Sequence, residues 1–163
     1  MQSDRAEMLD LLREDARYST ADLARMVDVE SEQVERLIEE LEADGVVRGY
    51  KAVVDWNQHA SEPVRAHVEL NVTLDRETSY RDIADRLARF AEVRSLRLVS
   101  GDYDFSLEVE ADTMSEVSRF VSEKVAPVPE ITQTVTHYIM DIYKDDGIVF
   151  ENYDDDDRLS VTP

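Results

Sequence analysis

Cysteine is absent from this 163-residue chain, lysine occurs three times against fifteen arginines, and no apolar run is long. Without cysteine, neither a disulfide nor a thiolate metal site can form. The three histidines, His59, His67 and His137, are scattered without ligand spacing, so no zinc site and no cofactor is expected. No stretch approaches the roughly 20 apolar residues of a membrane span. The opening Met-Gln-Ser-Asp lacks the basic-then-apolar order of a secretory signal. A cytoplasmic protein with no membrane partner is the expectation.

Positive charge is also scarce: 18 basic residues face 38 acidic ones, for a net charge of −20. The excess is spread out, with −9 over residues 1–45, zero over 46–63, −5 over 64–140 and −6 over 141–163. A generally acidic, lysine-poor surface fits a halophile's protein, because in molar salt the Debye length shrinks to about 3 Å. A dedicated partner for basic proteins would instead concentrate the acids in one patch.

The length suits one domain or two small ones. Met8, Leu9, Leu11 and Leu12 give an amphipathic helix pattern over residues 4–14. Ser19, three before Asp22, opens a second short helix carrying Leu23, Ala24 and Val27. After Asp28-Val29-Glu30, a third helix starts near Ser31 and places Val34, Leu37, Ile38 and Leu41 on one stripe. Gly45 lies just past its end. Three short helices with this turn fit a helix-turn-helix, and a generic helical bundle fits nearly as well.

Val46–Asp55 is β-prone and reads as a strand leading into a linker that runs from Trp56 to Pro63. Val64, Ala66, Val68, Leu70, Val72 and Leu74 then alternate with polar residues, as a half-buried strand does. A helix follows over Ser79–Ala91, then a strand over Val93–Val99. Thr113 and Glu116 open another helix with a capping box, Pro127 and Pro129 end it, and Ile131–Tyr143 reads as a last strand. Strand, helix, strand, strand, helix, strand is the ferredoxin-like order, a four-stranded antiparallel sheet with helices on one face. The other face is left bare. Val135, Tyr138 and Ile139 or Met140 are expected on it, so a homodimer through that face is expected. Residues 144–163, with Asp154–Asp157, read as a solvated acidic tail.

Between the two middle strands stands Val99-Ser-Gly-Asp-Tyr-Asp-Phe-Ser-Leu-Glu-Val109. Ser100-Gly101-Asp102 makes the reversal; Tyr103, Phe105, Leu107 and Val109 are expected on one face, opposite Asp104, Ser106 and Glu108. Gly101 can take a positive φ and leave backbone amides open beside two carboxylates, Asp102 and Asp104. A small zwitterion would suit that site, with amides for its carboxylate and an aspartate for its ammonium. An ordinary hairpin with solvated acids is the other reading.

The helix-turn-helix, the connector Leu41-Glu-Ala-Asp-Gly-Val-Val-Arg-Gly-Tyr50 and the Gly-Asp-Tyr-Asp hairpin together resemble the Lrp/AsnC family over roughly residues 4–142. The resemblance implies an α+β chain. A winged-type helix-turn-helix (1–45) is joined by a connector (46–63) to a ferredoxin-like βαββαβ effector and oligomerisation domain (64–143). It implies a transcription regulator of double-stranded DNA that senses an amino acid or related metabolite. It further implies dimers that assemble toward octamers, with the effector near Ser100, Gly101, Asp102, Tyr103 and Asp104. The acidity points to a halophilic archaeon.

The third helix departs from the family. Its outward positions read Ser31, Glu32, Gln33, Glu35, Arg36, Glu39 and Glu40, followed by Glu42. Arg36 suits guanine or phosphate, Gln33 adenine and Ser31 the backbone, and Glu35 can accept from a cytosine amino group. Arg13, Arg17 and Arg25, with Arg48 and Lys51 of the connector, can add backbone contacts. Ordinary DNA affinity rests on phosphate neutralisation, which a domain at −9 opposes. Either salt screens the repulsion and cations bridge acid to phosphate, or the protein is a metabolite sensor that works without DNA. The first is the expectation. Some relatives with this architecture are sirohaem-pathway decarboxylases, which would set His67 and His137 in a tetrapyrrole cavity. No Ser/His/Asp or paired-acid arrangement stands out, so no catalytic residue is expected.

Overall fold

The computed structural model describes residues 2–150. The chain divides into two compact units, with the boundary between Ala52 and Val53.

The first unit is three helices, α1 (Gln2–Glu14), α2 (Thr20–Val27) and α3 (Ser31–Ala43). Ser19 caps α2, its hydroxyl accepting from the Asp22 amide at 3.1 Å, and α2 stops at Asp28, whose φ of 55° is left-handed. Asp can visit that region because its short polar side chain bonds locally. Beyond α3, Gly45 takes φ +67°, and the amides of Val46 and Val47 both donate to the Leu41 carbonyl. The chain is thereby folded back over the helix end. Met8, Leu23, Val34 and Leu41 are buried, with Leu37 and Ile38 packed half-buried beside them. Burying a side chain of this size contributes roughly 1.5–3 kcal/mol.

The strand expected over Val46–Asp55 does not form in the single chain, where residues 46–55 carry no strand and Trp56–Gln58 makes one 3-10 turn. A strand needs a neighbour for its amides and carbonyls. The four-stranded sheet of the second unit is complete without this segment.

That second unit runs β1 (Val64–Val72), α4 (Tyr80–Leu87), β2 (Val93–Leu98), β3 (Phe105–Ala111), α5 (Met114–Phe120) and β4 (Ile131–Tyr138). The sheet order is β2-β3-β1-β4, with every pair antiparallel, as the ferredoxin-like order requires. Both helices start with complete capping boxes, Ser79 with Asp82 and Thr113 with Glu116. A π turn, Val121–Val125, continues α5. The widened turn keeps Val117, Val121 and Val125 all buried against the sheet. Ala66, Val68 and Leu70 of β1 meet Phe105, Leu107 and Val109 of β3 beneath Ile83, Leu87 and Phe120. Alternation thus sends every second strand residue into one core.

The opposite face differs from the sequence reading. Tyr138 points to the helix side, where its hydroxyl donates to the Met114 carbonyl at 3.1 Å. Register explains this, because Tyr138 pairs with Ala66, whose side chain is in the core. The helix-free face instead carries Val135 and His137 with Arg65, His67, Glu69, Ser106 and Glu108. It is mixed and charged, not apolar. β4 ends at Tyr138, five residues short of the expected limit, and Met140 beyond it is 83% exposed.

Residues 144–149 are not tail. Lys144–Asp145 (β5) pairs with Ile148–Val149 (β6) around Asp146 and Gly147, whose φ values are +47° and +88°. Positive φ at both central residues is what a two-residue hairpin of right-twisted strands needs, and Asp-Gly supplies it. Asp154–Asp157 lie outside the described residues.

Candidate functional site

The β2–β3 reversal is held from beneath by β1. Leu98 and Phe105 are the last register pair, and the Val99 amide donates to the Asp104 carbonyl at 2.9 Å. The Asp104 amide donates to the Leu70 carbonyl at 2.9 Å. Its carboxylate accepts from the Val72 amide at 2.8 Å, and the Tyr80 hydroxyl reaches the other oxygen at 3.4 Å. The Asn71 side chain donates to the Asp102 carbonyl at 2.9 Å. The C-terminal side of the loop, at Asp102 and Asp104, is thereby tied to β1, and its Val99 end is closed onto Asp104.

These ties sort the five hairpin residues into two groups. Asp104 is engaged through both oxygens, so its charge serves the loop and is poorly placed to hold an ammonium. Ser100, Gly101 and Asp102 are exposed, and among the described residues their amides and the Asp102 carboxylate find no partner. Gly101 has φ +138°, and a Cβ built there would meet nothing within 4 Å. The glycine is needed for its backbone conformation and not for space. Consecutive open amides next to one free carboxylate can receive both ends of a zwitterion.

Tyr103 does not share a face with Phe105. Its ring stands edge-on to His67 on the open face, with centroids 6.2 Å apart, whereas Phe105 packs on Tyr80 on the helix side at 5.9 Å. Pairing starts only at Phe105, and Asp104 is drawn over to Val72, so alternation does not extend back to Tyr103.

Sequence reasoning missed a groove beside the hairpin, about 530 Å³ in volume and lined by Tyr80, Ala84, Leu96, Leu98 and Phe105, with Arg81 and Asp85 at its rim. Leu98 is 57% exposed at its edge. The signal was available in outline: Leu96 and Leu98 alternate inward on an edge strand, and Ala84 is too small to cover them. A second cavity of about 360 Å³, between the β3 end and α5, is ringed by Glu92, Glu110, Glu116, Glu123 and Lys124. Neither of these two cavities is lined by His67 or His137, as a tetrapyrrole site would need.

On α3, Ser31, Gln33, Glu35 and Arg36 are all exposed, with Arg36 on the side away from buried Val34 and Leu41. Arg36 has no partner among the described residues. Arg5 is engaged with Asp44 at 2.7 Å and Arg25 with Asp22. Arg48 is exposed, with its guanidinium lying close against Gly45, where a Cβ would meet it at 2.9 Å. The Tyr50 hydroxyl donates to Glu42 at 2.9 Å, which removes one acid from the free set. Partial burial, then the Glu42 carboxylate, raises the Tyr50 phenol above its ordinary range.

Comparison with known proteins places both units. Residues 65–149 match the Lrp/AsnC ligand-binding domain, and residues 7–48 match a winged helix-turn-helix DNA-binding domain. The uncharacterized HTH-type transcriptional regulator YugG of Bacillus subtilis is 38% identical over 158 residues, covering 96% of this chain and 95% of that one. An uncharacterized HTH-type regulator of Pyrococcus horikoshii is 30% identical over 144 residues, 86% of each. The solved leucine response regulatory protein of Mycobacterium tuberculosis superposes with a TM-score of 0.71 at 22% identity, covering 88% of this chain and 94% of that one, and so shares the fold. No helix among the described residues is long and apolar enough to cross a membrane. The chain belongs to the Lrp/AsnC family and is a helix-turn-helix transcriptional regulator with a ligand-binding domain.

Proposed function

We propose that the regulator takes an amino acid or related small zwitterion at the β2–β3 hairpin and passes that signal to DNA through its assembly. The observation that carries the reading is the run of unpartnered amides at Ser100, Gly101 and Asp102 beside the free Asp102 carboxylate. The amides take the effector's carboxylate and Asp102 its ammonium. Asp104 positions the loop, Tyr103 borders it from the open face, and the apolar groove at Leu98 receives the side chain. Two copies pack through their open sheet faces, and dimers assemble further, toward an octamer. Effector binding biases that assembly and with it the spacing of recognition helices.

On DNA, Arg36 meets guanine or phosphate, Gln33 reads adenine, Ser31 and Arg48 meet the backbone and Glu35 accepts from cytosine. A surface of net charge −20 suits a saline cytoplasm in which potassium ions bridge the remaining acids to phosphate. The acidity of α3 also favours a second reading, a metabolite sensor acting without DNA.

Isothermal titration against a panel of amino acids tests the effector site. One or more apolar amino acids bind the native chain, and Gly101→Val loses that binding while keeping its circular dichroism. Undiminished binding in Gly101→Val places the effector elsewhere.

A further inference from the structure

Acids on the open sheet face are matched with arginines, except one. Glu110 has Arg65 at 3.5 Å and Arg94 at 3.6 Å, and Glu108 has Arg97 at 3.3 Å. Glu69, one register step beyond Glu108 and opposite Ser106, has no arginine or lysine partner among the described residues. Its nearest bases are two imidazoles, His137 Nε2 at 3.4 Å and His67 Nε2 at 3.9 Å from the same oxygen. Register brings them together: His67 pairs with His137 across β1 and β4, with rings 6.1 Å apart. Glu69 itself pairs with Ser106 and with Val135, and its side chain is already only 27% exposed. With both imidazoles neutral, the carboxylate depends on the remaining water for its solvation.

A second copy seated on this face removes that water. Desolvating a bare carboxylate is costly, and an adjacent histidine supplies a counter-charge by taking a proton in the range where imidazole ordinarily titrates. The geometry points to a proton-linked contact: pairing of two copies through their open faces takes up protons on the His67–His137 pair, with Glu69 as the group they neutralise. The inference rests on the open-face dimer proposed above and adds its regulation.

The surroundings fix the sign. His67 faces Glu69, His137, the Tyr103 ring and, as its register partner on β3, Glu108, which Arg97 already holds. His137 faces Glu69 and His67, flanked on its own strand by Val135 and Thr136 before it and Tyr138 after it. Arg65 lies two residues from His67 and is drawn to Glu110. One proton per copy therefore neutralises the unmatched charge. Protonation stabilises the paired form, so pairing is tight below the histidine range and loosens as pH rises through it.

Sedimentation equilibrium of the full chain from pH 5.5 to 8.5 tests this, in EDTA and at one KCl concentration where circular dichroism shows it folded throughout. The native dimer constant tightens by about fivefold or more toward low pH, the lower end of ordinary site coupling. Glu69→Gln pairs with no such dependence. A native dimer whose constant is flat with pH overturns the proton link while leaving the dimer. Monomers at every pH overturn the dimer reading and the link with it. If zinc at pH 8.5 without EDTA tightens the native chain as acid does, and leaves Glu69→Gln unchanged, the site is a metal site and the proton assignment fails.

Discussion

The carboxylate of Asp104 accepts the backbone amide of Val72 at 2.8 Å, joining the hairpin to the end of β1, where the β1–β4 register shifts. The acid therefore serves as a loop tie. Removing it as Asp104→Ala leaves a partly buried amide without an acceptor, a loss of roughly 1–3 kcal/mol. Chemical denaturation measures this. Asp104→Asn keeps an acceptor oxygen and loses less.

Asp102 stands one turn of the loop away with a free carboxylate. Asp102→Asn leaves stability unchanged within about 0.5 kcal/mol, as surface substitutions do. In the proposed site it weakens effector binding about tenfold or more, because one charge-assisted bond contributes about 1.5–3 kcal/mol. Titration calorimetry and thermal melts on the same variant separate the two effects.

Gly101 at φ +138° tolerates no β-branched residue without strain, although nothing crowds its Cβ position. Gly101→Val costs about 1–3 kcal/mol through backbone strain and keeps the fold. A two-state melt shifted by that amount, with unchanged circular dichroism, is the expected result.

Acid stability depends on carboxylates held low in the folded chain. Glu130 lies below its ordinary range chiefly through the hydrogen bond from Arg86 at 2.8 Å, and Glu92 through Lys124 at 2.6 Å. A depressed carboxylate contributes stability above its unfolded pKa, and that contribution is lost as pH falls through the folded one. The effector domain therefore destabilises on acidification below about pH 4.5, near where free glutamate titrates. Glu130→Gln flattens that fall, as denaturation at pH 7 and pH 3.5 reports.

Much of this was legible in the sequence, for identifiable reasons. Strict alternation in β1 and the capping box at Thr113 marked strand and helix with their starts, because each is a local preference. Gly45 and Gly101 announced the positive φ they adopt. Strand ends and faces were less legible. Tyr138 was placed on the wrong face because register with Ala66 is a property of two strands, not one. Tyr103 was misplaced because a tie from Asp104 to Val72 overrides local alternation. The Asp146-Gly147 hairpin carried a readable turn signal that the surrounding acids obscured. Connector residues 46–55 are β-prone, yet propensity cannot supply the missing neighbour strand. At the candidate site the loop residues were visible in sequence. The groove was legible only in outline, since its shape needs α4 and β2 together.

Arg36→Ala removes the one α3 side chain whose positive charge is free for phosphate or base. Its loss costs about 1–3 kcal/mol of DNA affinity if it contacts a base edge, and relaxes sequence preference there. An unchanged affinity removes α3 from the interface.

The most direct test of the account is binding of the purified chain to its own upstream DNA, with unrelated DNA as competitor, across KCl from about 0.1 M to several molar. Counterion release alone makes affinity fall steeply with salt. An acidic recognition helix bridged by cations predicts specific binding that holds or strengthens as KCl rises. Failure at every salt concentration, with the chain folded and still binding its effector, would contradict the account and leave a metabolite sensor that works without DNA.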